Sequence, residues 1–331
     1  MKSTTTLLTT LAIVSGSAFA ADNTLKVYTY DSFAADWGPA PAVKKAFEAE
    51  CGGCKIDFVA LEDGVSILNR LRLEGKNSKA DVVLGLDNNL IEEAKNTGLL
   101  AESRVDTGKL TVPGGWSDST FVPYDYGYFA FVYNKDSLAN PPKSLKDLVE
   151  NRQDIKVIYQ DPRTSTPGQG LLLWMKAVYG DKAADAWQKL AKHTVTVTKG
   201  WSEAYSMFLE GEADMVLSYT TSPAYHLIAE NDSKYAAADF SEGHYMQVEV
   251  AAKVKSTDNP ALADKFLTFM LSDSFQEILP TTQWMYPVTG VTLPEGFSTL
   301  TKPAKSLEFS PEEVAKDRRD WIREWQQALV K

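Results

Sequence analysis

Cysteine is scarce in this 331-residue chain, with Cys51 and Cys54 its whole supply. A disulfide scaffold is therefore excluded. A composition of 44% hydrophobic and 24% charged residues excludes disorder and collagen-like structure as well. Positive charge is also short: 34 Lys and Arg stand against 44 Asp and Glu, a net charge of −10, and no Lys/Arg run breaks the deficit. Such a surface repels a phosphate backbone, which removes nucleic acid from the candidate partners. A cationic or neutral partner suits an acidic field better. Beyond residue 20 no long apolar run occurs, so no membrane-spanning segment is expected there. Catalytic signatures are missing too. There is no G-x-x-x-x-G-K-[ST], no H-E-x-x-H, no EF-hand loop and no G-x-S-x-G elbow. Gly168-Gln169-Gly170 lacks the third glycine of a dinucleotide fingerprint, and no nucleophile–base pair can be assembled.

What is present starts at the N-terminus. Lys2 precedes an apolar stretch over residues 7–14 and the small-residue site Ala18-Phe19-Ala20. This is the pattern of a secretory signal peptide, cleaved after Ala20, and its apolar part is too short to span a bilayer. No cysteine follows the cleavage site, which argues against a lipid anchor. The expected destination is a bacterial periplasm. In Cys51-Gly52-Gly53-Cys54, a zinc site lacks neighbouring ligands. A redox thiolate is opposed by Glu48 and Glu50 at the end of a helical stretch. The pair is expected to be a structural loop, disulfide-closed or not.

The length suits about two domains. Strands are expected over residues 25–30, 56–61 and 80–86, alternating with helices over 42–50 and 65–74. In the second of these helices Val65, Leu68, Leu71 and Leu73 are expected on one buried side. This βαβαβ order implies a parallel sheet with right-handed crossovers. A second unit has strands over 156–159, 194–198 and 213–219, with helices near 167–178, 183–192 and 202–209. A long strand over 245–254 and helices over 260–271 and 311–330 close the chain. Ser310-Pro311-Glu312-Glu313 opens the last one as a capping box. Ligands of such sheets bind beyond the carboxyl ends of the strands. Those ends carry Tyr30-Asp31-Ser32, Glu62-Asp63-Gly64, Asp87-Asn88, the run Gln160–Gly168, and Thr220-Thr221-Ser222-Pro223. The fold expected is α/β, two lobes around a cleft joined by crossings near residues 124–127, 245–250 and 284–288. The lobes are set at 21–124 plus 250–284 and 125–249 plus 285–331.

At or just beyond the tips and crossings fall Tyr30, Trp37, Trp201, Tyr219, Tyr225 and Trp284. Core packing is the competing explanation for any aromatic residue. Placement beside acids and hydroxyls favours ligand contact. Aromatic faces with one buried carboxylate suit a flat organic cation, each ring adding roughly 0.5–2 kcal/mol of cation–π attraction. His226 follows Tyr225, and a surface or structural role is expected of it.

Several strings carry a resemblance. They include Val27-Tyr-Thr-Tyr-Asp-Ser-Phe-Ala-Ala-Asp-Trp-Gly38, Ala60-Leu-Glu-Asp-Gly-Val65 and Gly85-Leu-Asp-Asn-Asn89. Tyr159-Gln-Asp-Pro-Arg-Thr-Ser-Thr-Pro-Gly168, Thr198-Lys-Gly-Trp-Ser-Glu-Ala-Tyr205, Leu217-Ser-Tyr-Thr-Thr-Ser-Pro-Ala-Tyr225 and Trp284-Met-Tyr-Pro287 continue it. Over nearly the whole mature chain the sequence resembles the periplasmic thiamine-binding proteins of bacterial ABC importers. The resemblance implies a type II periplasmic binding fold that closes on thiamine and its mono- and diphosphate esters, with no cofactor and no catalysis. The implied partners are a membrane ABC permease and its ATPase. The implied site residues are Asp63, Gly64, Ser165, Thr166, Trp201, Tyr219, Thr220, Thr221 and Ser222, with Tyr30, Trp37, Tyr225 and Trp284 around the pocket. Asp63 is expected to be the ligand's anionic partner, a helix cap, or both. Trp201 and Tyr219 would wall the rings, and Ser165 and Thr166 would hold the hydroxyethyl arm or its phosphate at a helix start. Asp31 and Asp87 have the same claim by placement but not by resemblance. The rival readings are a same-fold receptor for ferric iron or a polyamine, and a secreted thiaminase-like enzyme. A ferric receptor would want a Tyr-Tyr doublet, which is absent. A polyamine receptor would want several separated carboxylates. A thiaminase-like enzyme would want a cleft cysteine.

Overall fold

A computed structural model describes residues 23–330, so the signal-peptide expectation for residues 1–20 lies outside them. The first unit runs β1 (Thr24–Tyr30), α1 (Ala40–Glu50), β2 (Lys55–Leu61), α2 (Gly64–Glu74) and β3 (Val82–Asp87). β1 lies between β2 and β3 and is parallel to both. Helices cover the sheet, and every residue of β3 is buried, as a central parallel strand requires. On α2, Val65, Ile67, Leu68 and Leu71 enter the core, but Leu73 is 85% exposed. The expectation for Leu73 is corrected by the helix period, which turns it to the face opposite the Ile67–Leu68–Leu71 stripe.

The second unit holds β4 (Val122–Asn134), β5 (Val157–Gln160), α3 (Thr166–Tyr179), α4 (Ala183–Ala191), β6 (Thr194–Thr198), α5 (Trp201–Leu209), β7 (Met215–Tyr219) and α6 (Pro223–Ala229). β5 is flanked by β6 and β7, again parallel. β8 (His244–Val254), α7 (Pro260–Phe269) and α8 (Pro311–Val330) complete the framework. Strand order along the sheet is β2-β1-β3-β8-β4-β7-β5-β6.

The long antiparallel strands β4 and β8 join the two parallel halves. β8 pairs with β3 and with the start of β4, and the end of β4 pairs with β7. In the β4–β8 ladder Glu249 stands opposite Asp125, and Tyr286–Pro287 adds to β4 at Tyr126 and Asp125. The three expected crossings therefore meet in one place. Buried residues form two large clusters that divide along these strands. Tyr124 and Val248 belong to one; Phe129, Phe131 and Tyr245 belong to the other. α8 seals the second cluster with Val314, Trp325 and Ala328. Its buried Arg318 donates to the Pro162 carbonyl at 3.1 Å and pairs with Glu93 at 3.3 Å. Ser310 accepts from the Glu313 N–H at 3.2 Å, the backbone half of the expected capping box. Cys51 and Cys54 form a disulfide across the turn after α1. Gly52 and Gly53 supply the positive φ angles of that turn, 73° and 105°. The pair is structural and lies outside the cleft lining.

Candidate functional site

A cleft of about 530 Å³ opens at the carboxyl ends of the parallel strands. Its size is that of a small-molecule site. One end is built on Asp63. This residue caps α2, and its Oδ1 accepts from the Gly64 N–H at 2.6 Å. The same oxygen accepts from the Thr166 N–H and hydroxyl, both at 3.2 Å, while Oδ2 accepts from the Trp201 N–H at 3.1 Å. Thr166 and Trp201 are the first residues of α3 and α5. Three helix N-termini thus converge on one carboxylate, each with N–H groups its own helix cannot satisfy.

Local sequence explains the convergence. α5 is preceded by Gly200, which has no side chain with which to cap it, so the cap comes from Asp63 across the cleft. A Cβ on Gly200 would lie 2.6 Å from the Glu62 carbonyl, and one on Gly64 would lie 2.2 Å from the Gly85 carbonyl. Larger residues would push the strand tips apart. Burial outweighs the donors and lifts the Asp63 carboxyl to about 6. Further bonds fasten the same edge: Ser66 N–H to the Thr164 carbonyl at 2.9 Å, and Ser202 hydroxyl to Asp31 Oδ1 at 2.9 Å.

Aromatic rings form the walls. Trp201 stacks on Tyr205 at 4.8 Å between centroids, and its indole N–H donates to Ser218 at 2.8 Å. Ser218 in turn is bonded to Ser222 at 2.7 Å. Trp37, 58% exposed, leans on Trp201 at the mouth. Tyr225 meets Trp284 edge-on at 5.4 Å. Trp284 has φ 61°, an uncommon conformation for a bulky side chain and one that turns the chain where it lines the cleft. Behind this wall His226 is buried, held between the Tyr205 hydroxyl at 2.9 Å and Glu230 at 2.7 Å. Its role is structural.

The other end is acidic and lies on the crossing strands. Glu249 lines the cleft, and its Oε2 accepts from the Tyr30 hydroxyl at 3.0 Å and Gln283 Nε2 at 2.9 Å. Tyr30 also meets the Tyr124 hydroxyl at 3.3 Å. Beside it Asp125 is fully buried. Burial, reinforced at Asp125 by the neighbouring acid, pushes both carboxyls up, Glu249 to about 7.

Of the residues singled out from sequence, Tyr30, Trp37, Asp63, Thr166, Trp201, Tyr219, Ser222, Tyr225 and Trp284 are brought together on the cleft. Gly64, Ser165, Thr220 and Thr221 lie behind its lining. Ser165 Oγ caps α3 by accepting from the Gly168 N–H at 3.2 Å, and its hydroxyl acts on the Asp63 carboxyl from behind the lining. Asp87 is buried on the Asn89 amides, and Asp31 is tied to Ser202 at the rim. Sequence reasoning missed Glu249, Gln283 and Tyr205. The signal for Glu249 was an acid in the otherwise apolar run Val248-Glu249-Val250-Ala251. Among the described residues no group of three or more His, Cys, Asp or Glu is placed to hold a metal ion. No helix among them is long and apolar enough to cross a membrane.

Comparison with known proteins agrees with this architecture. Residues 31–277 match the family model described as bacterial extracellular solute-binding protein. The chain is 68% identical over 305 residues to the thiamine-binding periplasmic protein of Escherichia coli (strain K12), covering 92% of this chain and 93% of that one. It superposes on a solved periplasmic thiamin binding protein with TM-score 0.92 at 68% identity, covering 93% of this chain and 96% of that one. A ferric binding protein from Campylobacter jejuni shares the fold alone, with TM-score 0.76 at 21% identity over 92% of this chain and 99% of that one. The α/β architecture is that of the type II periplasmic binding proteins. A crossing-strand sheet with a cleft at its strand tips, and matches of this extent, place the chain in the family of bacterial extracellular solute-binding proteins, in the group to which its Escherichia coli relative belongs.

Proposed function

We propose that the protein is a periplasmic receptor that captures thiamine in this cleft and delivers it to a membrane ABC permease and its ATPase. It would need no cofactor and catalyse no reaction. One observation carries the reading: aromatic faces wall a cleft whose buried carboxylates, Asp63 and Glu249, have among the described residues no Lys, Arg or His among the principal groups acting on them. A flat organic cation supplies the missing charge, and the relatives are named for binding thiamine.

In this reading Trp201 and Tyr219 flank the rings, while Tyr225 and Trp284 close the far wall. The hydroxyethyl arm lies toward Thr166, where phosphate esters would meet the N-termini of α2, α3 and α5. Gly64, Ser165, Thr220 and Thr221 shape the wall from behind. The lobes, 21–124 plus 250–284 and 125–249 plus 285–331, would close over the ligand about the β4–β8 crossing.

Titration calorimetry with thiamine, its monophosphate, its diphosphate and spermidine tests the reading. Saturable heat with the thiamine forms and none with spermidine is expected. Chromatography of the recovered ligand should show thiamine unchanged. Absence of thiamine binding overturns the receptor, and turnover overturns the non-catalytic part.

A further inference from the structure

Two carboxyl groups face each other on the crossing strands, and the capture of a cation does not by itself explain why there are two. Glu249 and Asp125 are directly opposite in the antiparallel β4–β8 ladder, so their side chains share one face of the sheet. Asp125 is wholly buried, and among the described residues neither of its carboxyl oxygens accepts a well-formed hydrogen bond, Gln283 being the one donor group that acts on it. A buried carboxylate with no well-formed hydrogen bond is costly. As an acid, however, Asp125 can donate its own proton to the neighbouring Glu249 oxygens. Glu249 has the opposite character. Both of its donors, Tyr30 and Gln283, reach Oε2, and among the described residues no donor reaches Oε1. It borders the cleft, whereas Asp125 does not.

We infer that Glu249 and Asp125 work as a proton-linked pair that falls from two protons to one when a cationic ring enters the cleft, so that Glu249 is the counter-charge of the ligand. The inference rests on the reading of the ligand as thiamine. The O–H bond of the Glu249 carboxyl breaks, its electron pair stays on oxygen, and the proton leaves to solvent. Asp125 keeps its own proton and donates it to the ionised Glu249. Two adjacent buried carboxyls cannot both ionise cheaply, and Glu249, with two donors and the cleft beside it, is the one that does.

The surroundings favour this sequence from every side. Tyr30 from β1, Tyr124 from β4 and Tyr219 from β7 face the pair, as does Asp63 at the head of α2. These groups are neutral or negative, and among the described residues no Lys, Arg or His is among the principal groups acting on either carboxyl. Burial holds both acids up toward their neutral forms. An arriving cation is the change that reverses the balance for Glu249. Asp63 is a poorer counter-ion because its oxygens are engaged by four donors of the protein itself.

Calorimetry of thiamine binding in two buffers of different ionisation enthalpy counts the protons. Wild-type protein should release close to one proton per ligand near pH 6 and almost none near pH 8.5, and Asp63→Asn should keep that release. Glu249→Gln should abolish it and weaken thiamine by about thirtyfold or more, the usual scale for losing one partner of a buried charge pair. A neutral isostere of thiamine should bind wild type without proton release. Asp125→Asn, whose amide donates permanently to Glu249, should also lose the release, yet near pH 8.5 bind thiamine at least tenfold more tightly than Glu249→Gln. Should Glu249→Gln not fold, the wild-type proton count and Asp125→Asn still decide. Thiamine binding with no proton release at any pH, or an unimpaired Glu249→Gln, overturns the pair and leaves the receptor standing. No thiamine binding at all overturns both.

Discussion

Asp63 and Glu249 are buried carboxylates on the same cleft, yet they are built in opposite ways. Asp63 sits at a helix start and collects donors from three chain segments; Glu249 sits in mid-strand with two donors on one oxygen. A helix N-terminus offers several N–H groups that its own turn cannot use, whereas a paired strand has already spent its N–H groups on the ladder. Backbone geometry alone therefore makes the strand-tip carboxylate a fastener and leaves the crossing-strand carboxylate in want of a partner. The cleft thus separates the work of holding its edges together from the work of meeting a charge.

The largest effect should come from unfastening Asp63. Asp63→Ala leaves the Thr166 and Trp201 N–H groups without an acceptor across the cleft. Hydrogen bonds to a charged group contribute about 1.5–3 kcal/mol each, so closure should weaken by about 3 kcal/mol or more. Thiamine affinity should then fall by about a hundredfold, and losing the α2 cap should cost about 1 kcal/mol of stability. The freed N–H groups form an anion site, so the variant should shift its preference toward thiamine monophosphate. Calorimetry with both ligands reads this. An equal loss for the two would mean that the phosphate lies elsewhere.

A second, smaller effect separates the two ends by pH. The Asp63 and Glu249 carboxyls are raised in the folded protein, so it binds more protons than the unfolded chain between about pH 4 and their folded values. Their contribution to stability is full below the unfolded values, declines as pH rises through that window, and is gone above about 6 for Asp63 and about 7 for Glu249. His193, His226 and His244 are lowered by burial and act the other way, losing stability as pH falls below about 6.5. The readout is therefore a difference between proteins. Without ligand, the melting temperature of wild type relative to Glu249→Gln should rise by several degrees as pH is lowered from 7.5 to 5.5, since 1 kcal/mol shifts Tm by about 2–4 °C in chains of this class. For Asp63→Asn the corresponding rise should be confined to the acid side of pH 6.5. Parallel curves would show that these carboxyls titrate normally.

How far the sequence discloses each end follows from the same contrast. Asp63, Thr166 and Trp201 stand at strand tips that an alternation of strand and helix marks, and a parallel sheet gathers such tips on one edge whatever its register. The pairing of Glu249 with Asp125 depends on the register between strands far apart in the chain, which local pattern does not encode. The hidden positions of Ser165, Thr220 and Thr221 have a related cause. A tip is a turn, and a turn sends some neighbouring side chains to opposite sides, so Thr166 and Ser222 reach the cleft while Ser165, Thr220 and Thr221 pack behind it. The φ of Trp284 and the burial of His226 are equally products of tertiary packing. Patterning suffices for the order of elements; the second carboxylate needs the assembled sheet.

The smallest and most discriminating effect comes from removing a single hydroxyl at each end. Thr166→Val takes one donor of four from Asp63, and the Gly64, Thr166 and Trp201 N–H groups remain. Tyr30→Phe keeps the aromatic face on the cleft but takes one donor of two from Glu249. A well-populated acceptor loses little when one neutral donor goes, so Thr166→Val should weaken thiamine by no more than about threefold. At Glu249 the lost donor favours the charged form that the ligand needs. Tyr30→Phe should therefore weaken thiamine by about threefold to tenfold near pH 7, and by less near pH 8.5, where Glu249 is ionised in any case. The pH dependence is the decisive part, because a loss of simple packing would be the same at both values. Titrating both variants at the two pH values puts the contrast at risk: if Thr166→Val loses more than Tyr30→Phe near pH 7, the strand-tip carboxylate is the one short of donors, and the division of labour between the two ends is the reverse of that drawn from their hydrogen bonds.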